Sequence, residues 1–370
     1  MSQSLIERLV REETRQLGVY NSGMSDEAVR AAYRVEHISR LASNENPLGA
    51  SPAVASALAA NVARTAIYPD SSSTALRQAL AAKTGSEMDC ISVGNGSEEL
   101  LKLLCLAFIA PGDRVVTLLP SFGLHQLYPQ MMGAKVDLVS VSDGMDFDLT
   151  AWSRALAAPA KMVILSNPSN PVGCMLGRQD FQTLLSQAPA DCLLVVDEAY
   201  YEYCSHLADY PDSLMLLRQQ SRPWIVLRTF SKAYGLAGLR VGYGIASDAA
   251  IAEVINRVRT PFNINRSAQA AALAALEDTA HVKASVALVC EQREIMRAEL
   301  ERLGYQVAPS EANFLFFRVQ GDSRDVSRRL LEKGIIVKPW MEPGFTDWVR
   351  VSVGSVFDND RFLTAVRAWQ

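Results

Sequence analysis

The sequence predicts an α/β protein, with a large domain built on a mainly parallel sheet covered by helices and a smaller α+β domain beside it. Short apolar runs, several rich in valine, alternate with longer helical stretches as far as residue 246. Most of these runs are apolar throughout rather than at every second position, as expected of strands buried on both faces. From about residue 265 the pattern changes to a long helical stretch, then short strands and helices in turn.

In chain order, strands are expected at "VVTLL" (115–119), "AKVDLVSV" (134–141), "MVILS" (162–166), "CLLVVDE" (192–198), "WIVLRTF" (224–230) and "RVGYGIA" (240–246). Helices such as "SEELLKLLCLAFIA" (97–110) and "GRQDFQTLLSQA" (177–188) lie between them. Beyond these, one long helix is expected over 267–303. It is followed by the strand "NFLFFRV", a helix at 323–333, the strands "GIIVKPW" and "WVRVSVG", and a last helix. A chain of 370 residues exceeds one small domain. The expected division is a large domain over 41–262 and a small domain formed by 1–40 together with 263–370.

Composition removes several functional classes. The chain is 49% hydrophobic and 21% charged, ordinary for a globular protein with a real core. A net charge of −4 gives no basic excess for nucleic acid. The cysteines Cys90, Cys105, Cys174, Cys192, Cys204 and Cys290 form no C-x-x-C pair and read as reduced core residues. The histidines His37, His125, His206 and His281 form no cluster, so no metal is expected. "MSQSLIERLVREETRQ" mixes acids and bases, unlike a signal peptide, and "LLKLLCLAFIA" is too short to span a bilayer. A cytoplasmic protein without membrane contact is expected.

In open parallel sheets, ligands sit beyond the carboxyl ends of the strands, so the residues after each strand are the candidates. They are Gly94, Gly96 and Ser97 with Glu98, Phe122, Asn167 and Asn170, Asp197 and Tyr200, and finally Thr229, Ser231, Lys232 and Arg240. Each has a plain structural reading. Ser97, Glu98 and Glu99 suit a helix start, Phe122 suits a core, and the asparagines of "NPSNP" suit a turn. A strand-end aspartate commonly caps a helix, and a lone lysine is usually solvated.

Together they fit one chemistry. A lysine amine forms a Schiff base with an aldehyde cofactor. Pyridoxal 5'-phosphate also needs a carboxylate at its ring nitrogen, a ring against its face, donors for its phenolic oxygen and a cup for its phosphate. Asp197, Phe122, and Asn170 with Tyr200 meet the first three needs. Ser231, Arg240 and the helix start at Gly96, Ser97 and Glu98 meet the last, with Thr229 beside them. Lys232, Asp197 and Tyr200 are the expected catalytic residues.

The chain resembles fold-type I pyridoxal-phosphate aminotransferases, most of all the histidinol-phosphate aminotransferase family. The landmarks are "LASNENPLGASP" (41–52), "YPD" (68–70), "NPSNPVG", "VVDEAYYEY", "RTFSKAYGLAGLRVGY" (228–243), "PFNINRSAQAAALAAL" and "WVRVSVG" (348–354), in order over nearly the whole chain. The resemblance implies a homodimer with shared active sites, in which Tyr68 reaches the partner's cofactor phosphate. It implies ping-pong exchange between a small-molecule amine donor and a 2-oxo acid acceptor, usually 2-oxoglutarate, with Lys232 as general base. Tyr20, Asn46, Lys338 and Arg350 are the substrate-binding residues it implies, Arg350 gripping the anionic end. Three positions depart from the family pattern: Phe122 where tyrosine is frequent, Lys338 where arginine is common, and "VYNSG" (19–23) in place of a proline-stiffened segment. An aromatic or other amino-acid aminotransferase and a threonine-phosphate-type decarboxylase share the cofactor residues and stay open. A non-catalytic regulatory module ranks far below, because only some forty mixed-charge residues precede the first landmark.

Overall fold

The computed structural model describes residues 5–18 and 23–369. Its strands, in chain order, are β1 (Ser39–Arg40), β2 (Ile91–Gly94), β3 (Arg114–Leu119), β4 (Lys135–Ser140), β5 (Met162–Ser166) and β6 (Leu193–Asp197). They continue with β7 (Trp224–Thr229), β8 (Gly242–Ala246), β9 (Phe314–Arg318), β10 (Ile335–Ile336), β11 (Lys338–Pro339) and β12 (Trp348–Ser352). Seven form the central sheet in the order β2-β8-β7-β6-β5-β3-β4. Strands β4, β3, β5, β6 and β7 run parallel, while β8 is antiparallel to both of its neighbours. That reversal matters for the site. It brings the residues just before β8 to the same edge as the carboxyl ends of the parallel strands.

The apolar runs behave as their composition requires. Along β5 to β7, Val163, Leu165, Leu194, Val196 and Val226 join one apolar cluster, with Trp152 and Phe181. The alternate residues Ile164, Val195, Ile225 and Leu227 join another, with Leu100 and Leu104 of the helix Ser97–Phe108. Both faces are therefore buried, and only the edge strand β4 is largely exposed.

The long helix expected over 267–303 is two helices, Arg266–Glu277 and Thr279–Arg302. Asp278 separates them by capping the second: its carboxylate accepts from the His281 amide at 3.1 Å and from Ser51 Oγ at 2.6 Å. Beyond this pair, β11, β12 and β9 form an antiparallel three-stranded sheet over a separate cluster containing Phe314, Phe317, Val349 and Phe362. The strand β1 pairs in parallel with β10, which ties the chain just before residue 41 to this C-terminal part. Among the described residues, no helix is long and apolar enough to cross a membrane.

Candidate active site

A cavity of about 570 Å³ opens where the carboxyl ends of the central strands meet the three-stranded sheet. Asp197, Lys232 and Arg240 line it from one side, and Lys338, Pro339 and Arg350 from the other.

At one end lies an anion cradle. The helix Ser97–Phe108 starts at Gly96, whose φ of 81° is the left-handed region that glycine tolerates. A Cβ on Gly96 would stand 2.7 Å from Arg240 Nη2, and one on Gly242 would stand 2.3 Å from the Ser97 amide nitrogen. Both glycines are therefore needed for the helix start, β8 and the guanidinium to converge. Arg240 Nη1 donates to Ser231 Oγ at 3.4 Å, and Thr229 Oγ1 lies 3.0 Å from the same hydroxyl. Thr229 Oγ1 also accepts from the Ser231 amide at 3.1 Å, which fixes the turn. Glu98 lines the cavity, but its carboxylate accepts from Tyr128 at 2.8 Å and faces Arg240 at 3.3 Å. Only its backbone N–H suits an anion.

Lys232 stands beside this cradle and donates from Nζ to the Ser43 carbonyl at 2.9 Å. Desolvation by the cavity walls, helped by the Arg350 charge, lowers its pKa to about 7. Across the cavity, Asp197 Oδ1 accepts from the Ala199 amide at 3.1 Å, and Oδ2 lies 2.9 Å from His125 Nε2. His125 is wholly buried, and its other nitrogen lies 2.9 Å from Ser121 Oγ. The Phe122 ring meets His125 edge-on at 5.5 Å and also lines the cavity. Tyr200 Oη accepts from Asn170 Nδ2 at 3.2 Å and from Asn44 Nδ2 at 3.0 Å.

The remaining wall belongs to β11 and β12, where Lys338 and Arg350 are Cα partners. Arg350 donates to Asn170 Oδ1 and to the Ala42 carbonyl, each at 2.5 Å, so its guanidinium is held at the cavity edge. Burial and the neighbouring Arg350 lower the Lys338 pKa.

Other expected residues lie elsewhere. Asn46 is absent from the lining: its amide donates to the Ala233 carbonyl and accepts from Leu48 and Ser285, each at 2.9 Å. It fastens the segment, while Asn44, two residues earlier, faces Tyr200. Tyr68 is 76% exposed and stacks on Phe262 at 4.6 Å, away from the cavity of its own chain. Tyr20 lies outside the described residues. Neither Asn44 nor His125 was singled out from the sequence. Phe122 lies in the turn before the helix Leu124–Met131, and the His125 amide donates to its carbonyl at 2.7 Å, which brings the two rings together.

The donor set suits pyridoxal 5'-phosphate. A helix start whose glycines leave no side chain in the way, with a serine hydroxyl and a guanidinium, fits a phosphate. A lysine close to neutrality fits the aldehyde. Fold and site together are those of a pyridoxal-phosphate enzyme of fold type I.

The chain belongs to the aminotransferase class I and II family, whose model matches residues 36–366. It is 45% identical over 360 residues to histidinol-phosphate aminotransferase 3 of Rhizobium meliloti, covering 97% of both chains. It is 46% identical over 358 residues to histidinol-phosphate aminotransferase 1 of Mesorhizobium japonicum, again covering 97% of both. Among solved structures, it superimposes with a TM-score of 0.88 and 26% identity on the Sinorhizobium meliloti histidinol-phosphate aminotransferase in complex with pyridoxal 5'-phosphate, covering 98% of each chain. The chain is a pyridoxal-phosphate-dependent aminotransferase.

Proposed function

We propose that this aminotransferase takes histidinol phosphate as amine donor and a 2-oxo acid, 2-oxoglutarate in the first instance, as acceptor. The observation that carries the reading is the pairing of Lys338 with Arg350 on one cavity wall, facing the side that holds Lys232. Two cations suit a phosphate monoester, and Arg350 alone suits the carboxylate of the acceptor. The names of the relatives point the same way.

The coenzyme, when bound, supplies an aldehyde for amines and a ring that takes up the electrons left when the donor's C–H bond breaks. Lys232, about half neutral at pH 7, would take the proton from the donor carbon and deliver it to the coenzyme's aldehyde carbon. Asp197 holds a proton at the ring nitrogen, itself oriented by His125 and the Ala199 amide. Asn170 and Tyr200 would hold the phenolic oxygen, and Phe122 would supply an apolar wall beside the ring. Gly96, Ser97, Ser231 and Arg240 hold the phosphate, with Thr229 setting the Ser231 turn.

The same reading treats 41–262 as a cofactor domain and 1–40 with 263–370 as a smaller one, supported by the cluster around Phe314, Phe317, Val349 and Phe362, while Ala268, Ala271 and Ala275 of the helix Arg266–Glu277 pack into the cluster of the larger part. It pairs two copies in the cytoplasm, with Tyr68 of each reaching the other's phosphate cradle. Support comes from the exposed patch of Ile67 (59%), Tyr68 (76%) and Phe262 (41%).

The test is a single-turnover mix of coenzyme-loaded protein with histidinol phosphate, following the visible absorption. Loss of the aldehyde-form band, restored by 2-oxoglutarate, is expected. A band that ignores histidinol phosphate but responds to aromatic amino acids would overturn the donor assignment and leave the coenzyme chemistry in place.

A further inference from the structure

Between β11 and β12, one carboxylate gathers three N–H donors. Glu342 Oε2 accepts from Trp340 Nε1 at 2.6 Å and from the Ser121 amide at 3.2 Å. Its Oε1 accepts from Gln126 Nε2 at 2.5 Å. Ser121 and Gln126 belong to the segment that leaves β3, so this side chain joins the three-stranded sheet to the central one. Burial raises the Glu342 pKa, while its donors and the nearby His125 oppose the rise.

Each donor leads somewhere. Trp340 packs edge-on against Phe316 at 5.8 Å, and the Arg350 guanidinium lies 5.9 Å from its ring. On the other side, Ser121 Oγ lies 2.9 Å from His125 Nδ1, whose Nε2 lies 2.9 Å from Asp197 Oδ2. An ionised carboxylate only accepts, so Nε2 carries the proton, and in the neutral ring Nδ1 accepts from the serine hydroxyl. Ser121 thus gives its amide to Glu342 and its hydroxyl to His125. Ser121 and His125 are 2% and 0% exposed, so the orientation of the ring rests on these partners.

We propose that Glu342 is a positioning residue that ties the anion-binding wall at Lys338 and Arg350 to the orientation of Asp197, through Trp340 on one side and Ser121 with His125 on the other. The proposal rests on the reading that Asp197 faces the ring nitrogen of the coenzyme. A substrate anion held on Arg350 steadies β11 and β12, and with them the loop that carries Glu342. The loop fixes the Ser121 amide, and the Ser121 hydroxyl then fixes the imidazole that donates to Asp197. A carboxylate is needed because all three partners donate; a glutamine would put its own NH₂ among them.

The experiment is a pH titration of the coenzyme's visible band in holoenzyme without substrate, comparing Glu342→Gln and Glu342→Ala with the parent. The midpoint is expected to move by about half a unit or more, in the same direction as in His125→Asn. Combining Glu342→Gln with His125→Asn should add little to His125→Asn alone, as for residues on one path. A lowered melting temperature with an unmoved midpoint would mark Glu342 as a latch between sheets and overturn the proposal. If the alanine variant does not fold, Glu342→Gln and Trp340→Phe carry the same readout. Asp197→Asn serves as control: an unmoved midpoint there would overturn the reading of Asp197 itself, a failure distinct from that of Glu342.

Discussion

Asp197 and Glu198 are neighbours at the end of β6, both carboxylates and both buried, yet they look into different parts of the molecule. Asp197 faces the cavity with one donor on each oxygen, His125 and the Ala199 amide. Glu198 faces away from it. Its Oε2 takes Nε and Nη2 of Arg228, each at 2.8 Å, and its Oε1 takes Ser213 Oγ at 2.5 Å and Tyr210 Oη at 3.0 Å. Every lone-pair direction of Glu198 is used inside the protein, whereas Asp197 keeps acceptor capacity for something in the cavity. What separates a structural carboxylate from a functional one is therefore not burial but how fully its acceptors are occupied.

The sharpest test removes the saturated carboxylate. Glu198→Ala leaves Arg228, 6% exposed and stacked over Tyr201 at 3.5 Å, as a buried cation without its counter-charge. Breaking such a pair from one side costs about 3–5 kcal/mol. Chemical denaturation should show that loss, with the coenzyme spectrum of the folded fraction unchanged. A variant as stable as the parent would remove the structural half of the comparison.

Asp197→Asn should do the opposite. The amide keeps the size and one acceptor, so stability should stay within about 1 kcal/mol of the parent. The charge toward the ring nitrogen is lost, and the rate of the amine half-reaction should fall by about 10²–10⁴-fold. Stopped-flow absorption measures the rate and a melting curve measures the stability. A large stability loss with little change in rate would place Asp197 in the same class as Glu198.

The contrast between these two residues also shows how far the sequence could be read. A parallel sheet lines up its strand ends, so Phe122, Asn170, Asp197, Tyr200 and Lys232 can be collected from position alone. Arg240 joins them because it follows the same landmark, although the structure delivers it by the start of an antiparallel strand. The choice between Asn44 and Asn46 is not legible, because a loop has no periodicity to say which asparagine turns inward. Asn44 adopts a φ of 56° and faces Tyr200, while Asn46 fastens the loop. His125 is not legible either, because the four histidines form no cluster in the sequence and its partner Asp197 is 72 residues away. The break at Asp278 was readable in principle, since an aspartate three residues before His281 is a capping arrangement, but the alanine-rich flanks masked it.

A last difference concerns the two cations nearest these carboxylates. Burial disfavours the charge of Arg228, but Glu198 outweighs it and holds its pKa well above the usual arginine value. Around Lys232 the charges of Glu45 and Asp197 act the same way but are outweighed. Desolvation first, then Arg350, brings it down from 10.5 to about 7. Only the neutral amine attacks an aldehyde, so coenzyme uptake by the apoprotein should rise about tenfold from pH 6 to pH 8 and then level off. An unshifted lysine would instead keep gaining about tenfold per pH unit up to pH 10. The same depression sets the sign for stability: between pH 7 and 10.5 the unfolded lysine binds a proton that the folded one has released. This group's contribution therefore makes the apoprotein more stable as pH rises through that window. Stopped-flow uptake of pyridoxal 5'-phosphate across pH 6–10 decides it. A plateau above about pH 8 supports a cavity that holds Lys232 ready as a base, and a rate still climbing at pH 9 would show a lysine as solvated as any on the surface.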